Sequence, residues 1–336
     1  MNNIRFVDLF AGIGGFHYAI NAAAKKLGVT AECAFSSDID KDAQKSYFEN
    51  FGIQPAGDIT LIKENDVPQH DILLGGFPCQ AFSIIGGRKG FEDARGTLFF
   101  DLARILKEKK PAGFVFENVK QLAGHDKGNT LKVILDILES LGYAVDYKVL
   151  NALNFGLPHK RERIFLVGWR KKLVFDWEFP HYKMKSLSNL LEKDVDRFYL
   201  ASEKIAVKRQ GAVKKHQISH NRPTIWHENK SGNISAYEYS CALRAGASYN
   251  YLLVNGNRRL TEREMLRLQG FSDHHKITHS YTTMRRFAGN SLPIPAATEV
   301  LYKLLQNNWI NNHVSDPTPP KTRSKNKDTV SNKSVS

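Results

Sequence analysis

From Ile4 to about Trp169 the chain alternates short apolar runs with stretches whose apolar residues recur at helical spacing, and no other feature narrows its fold as far. Strands are expected at 5–10, 31–36, 71–74, 113–116, 147–150 and 163–167, with helices at 16–27, 41–51, 98–107 and 131–141. This is the pattern of βαβ units and predicts a doubly wound α/β domain with a mainly parallel sheet. From about 171 to 257 it gives way to basic, Tyr-rich sequence with few clear helices, which reads as a smaller module added for recognition. Helices return at 261–269, where Thr261 and Glu264 form a capping box, and at about 295–305. The stretch 313–336 is rich in Ser, Thr, Pro, Lys and Asn and is expected to be disordered.

The formal net charge is +14, and such an excess points first to a polyanionic partner, because each phosphate neutralised releases counterions. Lys204, Lys208, Arg209, Lys214, Lys215 and Arg222 fall in a stretch without Asp or Glu, so the positive field is concentrated late in the chain. The composition, 42% hydrophobic and 24% charged, is that of a soluble globular enzyme. No run reaches the roughly 18 apolar residues of a membrane span, and Met1-Asn2-Asn3-Ile4-Arg5 does not open a leader, so a cytoplasmic protein is expected. Cys33, Cys79 and Cys241 lie far apart with no CxxC spacing, which suggests neither a disulfide framework nor a metal site.

Chemistry concentrates at four places. Phe10-Ala11-Gly12-Ile13-Gly14-Gly15 follows the first strand and opens the first helix, so bare backbone can lie against a ligand. It is not GxGxxG; a nucleoside-bearing cofactor suits it better than a dinucleotide. Asp38 follows the next strand, placed to accept from ribose hydroxyls, and Asp58-Ile59 falls where a third strand could end, its carboxylate placed for an adenine amino group. Cys79, in Gly75-Gly76-Phe77-Pro78-Cys79-Gln80, follows the strand 71–74 at the edge where α/β sheets hold ligands, whereas Cys33 and Cys241 read as packed side chains. A thiol is only a few per cent ionised near pH 7 and needs a cationic or dipolar neighbour to attack. Arg161 and Arg163 project to one face of an extended segment and converge on a phosphate or the thiolate, or else are solvated charges on an edge strand. Glu117 ends the apolar strand 113–116, where partial desolvation would raise its pKa and make it a proton donor to a ring nitrogen; a strand-end helix cap is the plainer alternative.

With these residues the chain resembles the DNA (cytosine-5) methyltransferases, as found in bacterial restriction–modification systems, from Phe6 to about Val300 except for 171–257. The cofactor loop, Gly-Phe-Pro-Cys79-Gln, Glu117-Asn118-Val119, Arg161-x-Arg163, the segment 259–271 and Gly289-Asn290-Ser291-Leu292-Pro293 are similar to the family's motifs, in the same order. The resemblance implies a Rossmann-like S-adenosylmethionine-dependent methyltransferase domain at 1–175, completed by 285–312, and a smaller, irregular β-rich target-recognition domain at 176–284. It implies covalent catalysis by Cys79 on a cytosine flipped out of double-stranded DNA, with Glu117 as acid, Arg163 on the ring oxygen and Arg161 on the phosphate or thiolate, without a metal. It further implies S-adenosylmethionine held by Phe10, Gly12, Ile13, Asp38, Ile39, Asp58, Ile59, Pro78, Leu98, Asn290 and Ser291, and closure of the loop 83–93 over the base. His159 stands where many relatives carry Gln, and Ile85 at a position often small or polar. A monomer protecting DNA from a cognate restriction endonuclease, a genetic partner, is the expected setting. Methylation of transfer RNA by the same thiol is the alternative, against which the long basic module argues.

Overall fold

The computed structural model describes residues 3–78, 98–170, 172–213 and 221–310. The expected stretch 313–336 lies outside them. The strands β1 (Asn3–Leu9), β2 (Thr30–Ser37), β3 (Ile72–Gly76), β4 (Gly113–Val119) and β5 (Tyr143–Asn151) are followed by a two-residue strand, β6 (His159–Lys160), and by β7 (Glu162–Arg170). All but β6 form one six-stranded sheet in the order β2-β1-β3-β4-β7-β5. The pairings among β1 to β4 are parallel, while β7 runs antiparallel to both β4 and β5. The α/β expectation is met, with β7 reversed: the segment 152–161 joining it to β5 is too short for the crossover that a parallel neighbour needs.

Alternate residues of each central strand feed two cores. Ile72, Leu74, Val115, Phe165 and Val167 face one side, where α1 (Gly15–Leu27), α2 (Lys41–Phe51) and the late helix α8 (Ile294–Leu305) pack. Leu73, Phe114, Phe116, Ile164 and Leu166 face the other, against α3 (Leu98–Lys109) and α4 (Asn129–Ser140). Both faces are covered, which is why these strands are apolar at consecutive positions. α8 shares the first core through Val300, Leu301 and Leu304, so the end of the described chain returns to its beginning.

The remaining elements form a second cluster. An antiparallel sheet β11-β8-β9 joins β8 (Ile225–Glu228), β9 (Ile234–Tyr237) and β11 (Leu252–Val254), while β10 (Ser240–Cys241) pairs in parallel with β6. Ile225, Leu252 and Leu260 pack with Met265 and Leu268 of α6 (Glu262–Gln269), whose capping box at Thr261 and Glu264 is formed as expected. Two helices were not anticipated: α5 (Glu203–Ala212), nearly without apolar asymmetry, and α7 (Tyr281–Asn290), which buries Tyr281, Met284, Phe287 and Ala288. Arg209 on α5 is not part of a surface field. It is buried, donating to Glu228 (2.8 Å) and to the Asn250 carbonyl, while Lys208 and Arg222 pair with Glu228 and Glu238. Lys214 and Lys215 lie outside the described residues.

Truncating a fully buried leucine costs about 2–5 kcal/mol. Leu301→Ala on α8 is therefore expected to lower the unfolding free energy by about that amount in a denaturant titration, although Leu301 lies far along the chain from the sheet it supports.

Candidate active site

Strand order reverses at β1, with β2 on one side and β3 on the other, and a cleft opens at the carboxyl ends of these strands and β4. It encloses about 680 Å³, within the range of small-molecule sites. All eleven residues proposed for the cofactor line it: Phe10, Gly12, Ile13, Asp38, Ile39, Asp58, Ile59, Pro78, Leu98, Asn290 and Ser291. Glu117 and Arg163 line it too. Cys79 lies outside the described residues, as does the loop 83–93 with Ile85; the last described residue before them, Pro78, is on the cleft wall.

Its floor is the turn between β1 and α1. Phe10 takes a φ of +56°, a left-handed conformation that costs free energy in a residue with a side chain. Gly14 (φ +87°) is required by its surroundings, since a Cβ there would sit 2.2 Å from the Phe51 ring, while one on Gly15 would press on Leu292 and Ser291. Asp38 braces this turn from the end of β2, Oδ2 accepting from Gly12 N (2.7 Å) and Oδ1 from Asp40 N (2.8 Å). Burial nevertheless raises its pKa, opposed by the Gly12 bond and by Arg286, which pairs with Asp40. Asp58 does not follow a third strand, as the sequence suggested. Ala56 only bridges Ser37, and Asp58 caps the short helical turn Ile59–Leu61 with Oδ1 on Thr60 N and Oγ1. Ile39 is 71% exposed, an apolar side chain on the cleft wall.

At the other end stands Glu117, 8% exposed. It does not end its strand; β4 continues to Val119, and Glu117 lies in register with Gly76 of β3 and Phe165 of β7. Burial raises its pKa above the usual carboxylate value, with Arg163 and Arg161 pulling it partly back. Arg163 Nε lies 2.8 Å from Glu117 Oε1, an ion pair that fixes the carboxyl group. Neighbouring Asn118 spans to β3: Nδ2 donates to the Phe77 carbonyl (2.9 Å) and Oδ1 accepts from Val119 N, holding the chain two residues before Cys79.

Arg161 departs from the expectation. It does not line the cleft and is fully buried, donating through Nη1 to the Leu243 carbonyl (3.0 Å) and through Nη2 to those of Gly289 (2.9 Å) and Ser291. A guanidinium fully buried and bound through both Nη groups to backbone carbonyls does not reach a phosphate.

Residues 4–306 match the family described as C-5 cytosine-specific DNA methylase. The chain belongs to that family. The methylase is 51% identical over 315 residues to the Type II methyltransferase M.NgoBI of Neisseria gonorrhoeae, spanning 90% of this chain and 96% of that relative. It is 53% identical over 297 residues to M.HaeII of Haemophilus aegyptius, spanning 88% and 91%. In fold it is similar to the S. pombe Dnmt2 methyltransferase, with a TM-score of 0.66 at 20% identity over 91% of this chain and 99% of that one.

Ser37, Asp40, Thr60 and Phe287 also line the cleft of the methylase and were not singled out from sequence, while Asn118 was named in the Glu117-Asn118-Val119 motif without a role of its own. For Asn118 the signal was present, an amide beside Glu117 in an otherwise apolar strand. Asn118→Ala leaves the Phe77 carbonyl without its side-chain donor. A loss of about 1–3 kcal/mol in chemical denaturation is expected.

Proposed function

We propose that the methylase transfers a methyl group from S-adenosylmethionine to carbon 5 of a cytosine flipped out of a specific double-stranded DNA sequence, through a covalent Cys79 adduct. One observation carries the reading: all the proposed cofactor residues meet Glu117 and Arg163 in a single cleft on the chain segment that leads into Cys79. The cleft suits an adenosyl group. Asp38 and Asp58 offer carboxylate acceptors, exposed Ile39 an apolar face, and the first turn of α1 backbone N–H groups for a carboxylate. Bound there, S-adenosylmethionine supplies an electrophilic methyl group.

The chain's own residues prepare carbon 5, which is too weak a nucleophile unaided. The Cys79 thiolate adds to carbon 6 of the ring, and the electron pair displaced is drawn toward N3, where Glu117 holds and delivers a proton. The raised pKa keeps that proton on Glu117 above the usual carboxylate range, and Arg163 orients the carboxyl group beside the ring oxygen. After methylation a base takes the carbon-5 proton, its electron pair reforms the carbon 5–carbon 6 double bond as Cys79 leaves with the carbon 6–sulfur pair, and N3 returns its proton to Glu117. Carbon 6 is out of reach inside a duplex, so flipping must cost a few kcal/mol, offset by pocket and phosphate contacts.

In this reading residues 1–175 with 285–312 form the catalytic part and 176–284 the part that reads DNA. Among the described residues no helix is long and apolar enough to cross a membrane. A monomer acting in the cytoplasm, whose methylation blocks a cognate restriction endonuclease, fits the Type II names of the relatives.

Cys79→Ala is expected to abolish methyl transfer while retaining DNA binding, and DNA with 5-fluorocytosine at the target to trap the wild type covalently; an active Cys79→Ala enzyme sinks the mechanism. Bisulfite sequencing of DNA from expressing cells reads both the reaction and the target sequence, and labelled methyl transfer to RNA in its place would move the reading to transfer RNA. Glu117→Gln should lower turnover by roughly 10²–10⁴-fold. A group whose pKa is raised loses its proton only as pH climbs through that higher value. The kcat/KM profile should therefore fall on its alkaline side, and the residual activity of Glu117→Gln should lack that limb.

A further inference from the structure

The segment 240–245 is tied at several points to β6, to the connection before β7 and to the end of α7. Ser240 and Cys241 pair with His159 and Lys160, and Ser240 N donates to the Pro158 carbonyl (2.8 Å). Leu243 is then held from both sides of its Cα. Its N–H donates to His159 Nε2 (3.1 Å) and its carbonyl accepts from Arg161 Nη1 (3.0 Å), so the two peptides that share its soft dihedrals are both tied down. The His159 ring is fully buried and its tautomer is dictated: the Leu268 carbonyl, 3.0 Å from Nδ1, can only accept, so Nδ1 carries the proton and Nε2 is left to accept from Leu243. The same Arg161 guanidinium reaches Gly289 and Ser291, the latter on the cofactor cleft. A third contact closes the junction, since a Cβ on Gly289 would sit 2.4 Å from Ala245 N.

Beyond Leu243 the chain emerges as a short loop, 244–250, in which Arg244, Gly246, Ser248 and Tyr249 are exposed. We propose that His159 and Arg161 are positioning residues that lock Leu243, and through it hold the loop 244–250 at the mouth of the cleft, so that DNA touching the loop presents its cytosine to Glu117. This rests on the DNA reading above. His159 touches no reacting atom; it acts through the backbone it fixes, and its place in the reaction is to keep two binding surfaces in register.

Leucine nearly matches histidine in bulk and makes neither bond, whereas glutamine can make both, its carbonyl accepting from Leu243 N and its amide donating to Leu268. His159→Leu is expected to raise KM for duplex DNA tenfold or more, about 1.4 kcal/mol, with kcat at saturating DNA and S-adenosylmethionine affinity nearly unchanged. His159→Gln should restore the wild-type KM. An unchanged KM in His159→Leu, an equal loss of S-adenosylmethionine affinity, or a glutamine variant no better than leucine would each overturn the proposal. If His159→Leu does not fold, His159→Asn, one methylene short of glutamine, must show the same split. A wild type that methylates no DNA would instead overturn the DNA reading, leaving the two failures distinct.

Discussion

A guanidinium taken wholly out of water costs several kcal/mol unless acceptors surround it, and Arg161 meets that cost with three backbone carbonyls from two distant parts of the chain. Leu243, Gly289 and Ser291 can converge on it only if the second cluster, the end of α7 and the β6–β7 corner come together at once. These three bonds define the junction among the cleft, the main sheet and the second cluster to within hydrogen-bond tolerance. Removing any one segment would leave a buried cation short of partners, which makes the junction cooperative rather than a sum of contacts.

The same charge acts on the chemistry at a distance. Burial raises the pKa of Glu117, with Arg163 in contact and Arg161 deeper, both favouring the carboxylate. Desolvation wins, so the carboxyl group remains raised but not inert. Strand register supplies the geometry: Glu117 pairs across to Gly76, whose missing side chain leaves the carboxyl group room beside the segment leading to Pro78. Asn118, on the next residue, fastens that segment to β4. Glu117 and the segment ending at Pro78 are thus set by neighbouring positions of one strand pair.

Much of this was legible in the residues. The alternating pattern located the strands of the main sheet and α1 to α4, because each element buries apolar residues at its own period. The glycine loop, Asp38 and the late Asn290 were found by motif, and the cleft gathers them. What was hidden had physical causes. The reversal of β7 is a property of a connection, not of the strand's composition. α7 buries Tyr281, Met284, Phe287 and Ala288, but it ends within the Gly-Asn-Ser-Leu-Pro motif and carries no Ser/Thr/Asp/Asn side-chain cap bond at its start. Arg161 and Arg163 look alike in sequence, two residues apart. Burial decides between them, and burial depends on Leu243 and Gly289, more than eighty and more than a hundred residues downstream. Arg209 misled for the same reason, a cation counted as surface that turns inward to Glu228.

A Cβ on Gly15 would come within 3.1 Å of Leu292 and 3.2 Å of Ser291, which means one wall of the cleft is supplied by residues near the end of the described chain. During synthesis the glycine turn and Asp38 leave the ribosome early, yet Asn290, Ser291 and the helix that seats them emerge only after more than two hundred further residues. A nascent chain therefore carries most of the parts without a closed site. The cleft closes only when α8 docks on α1 and Asn290 and Ser291 complete its wall.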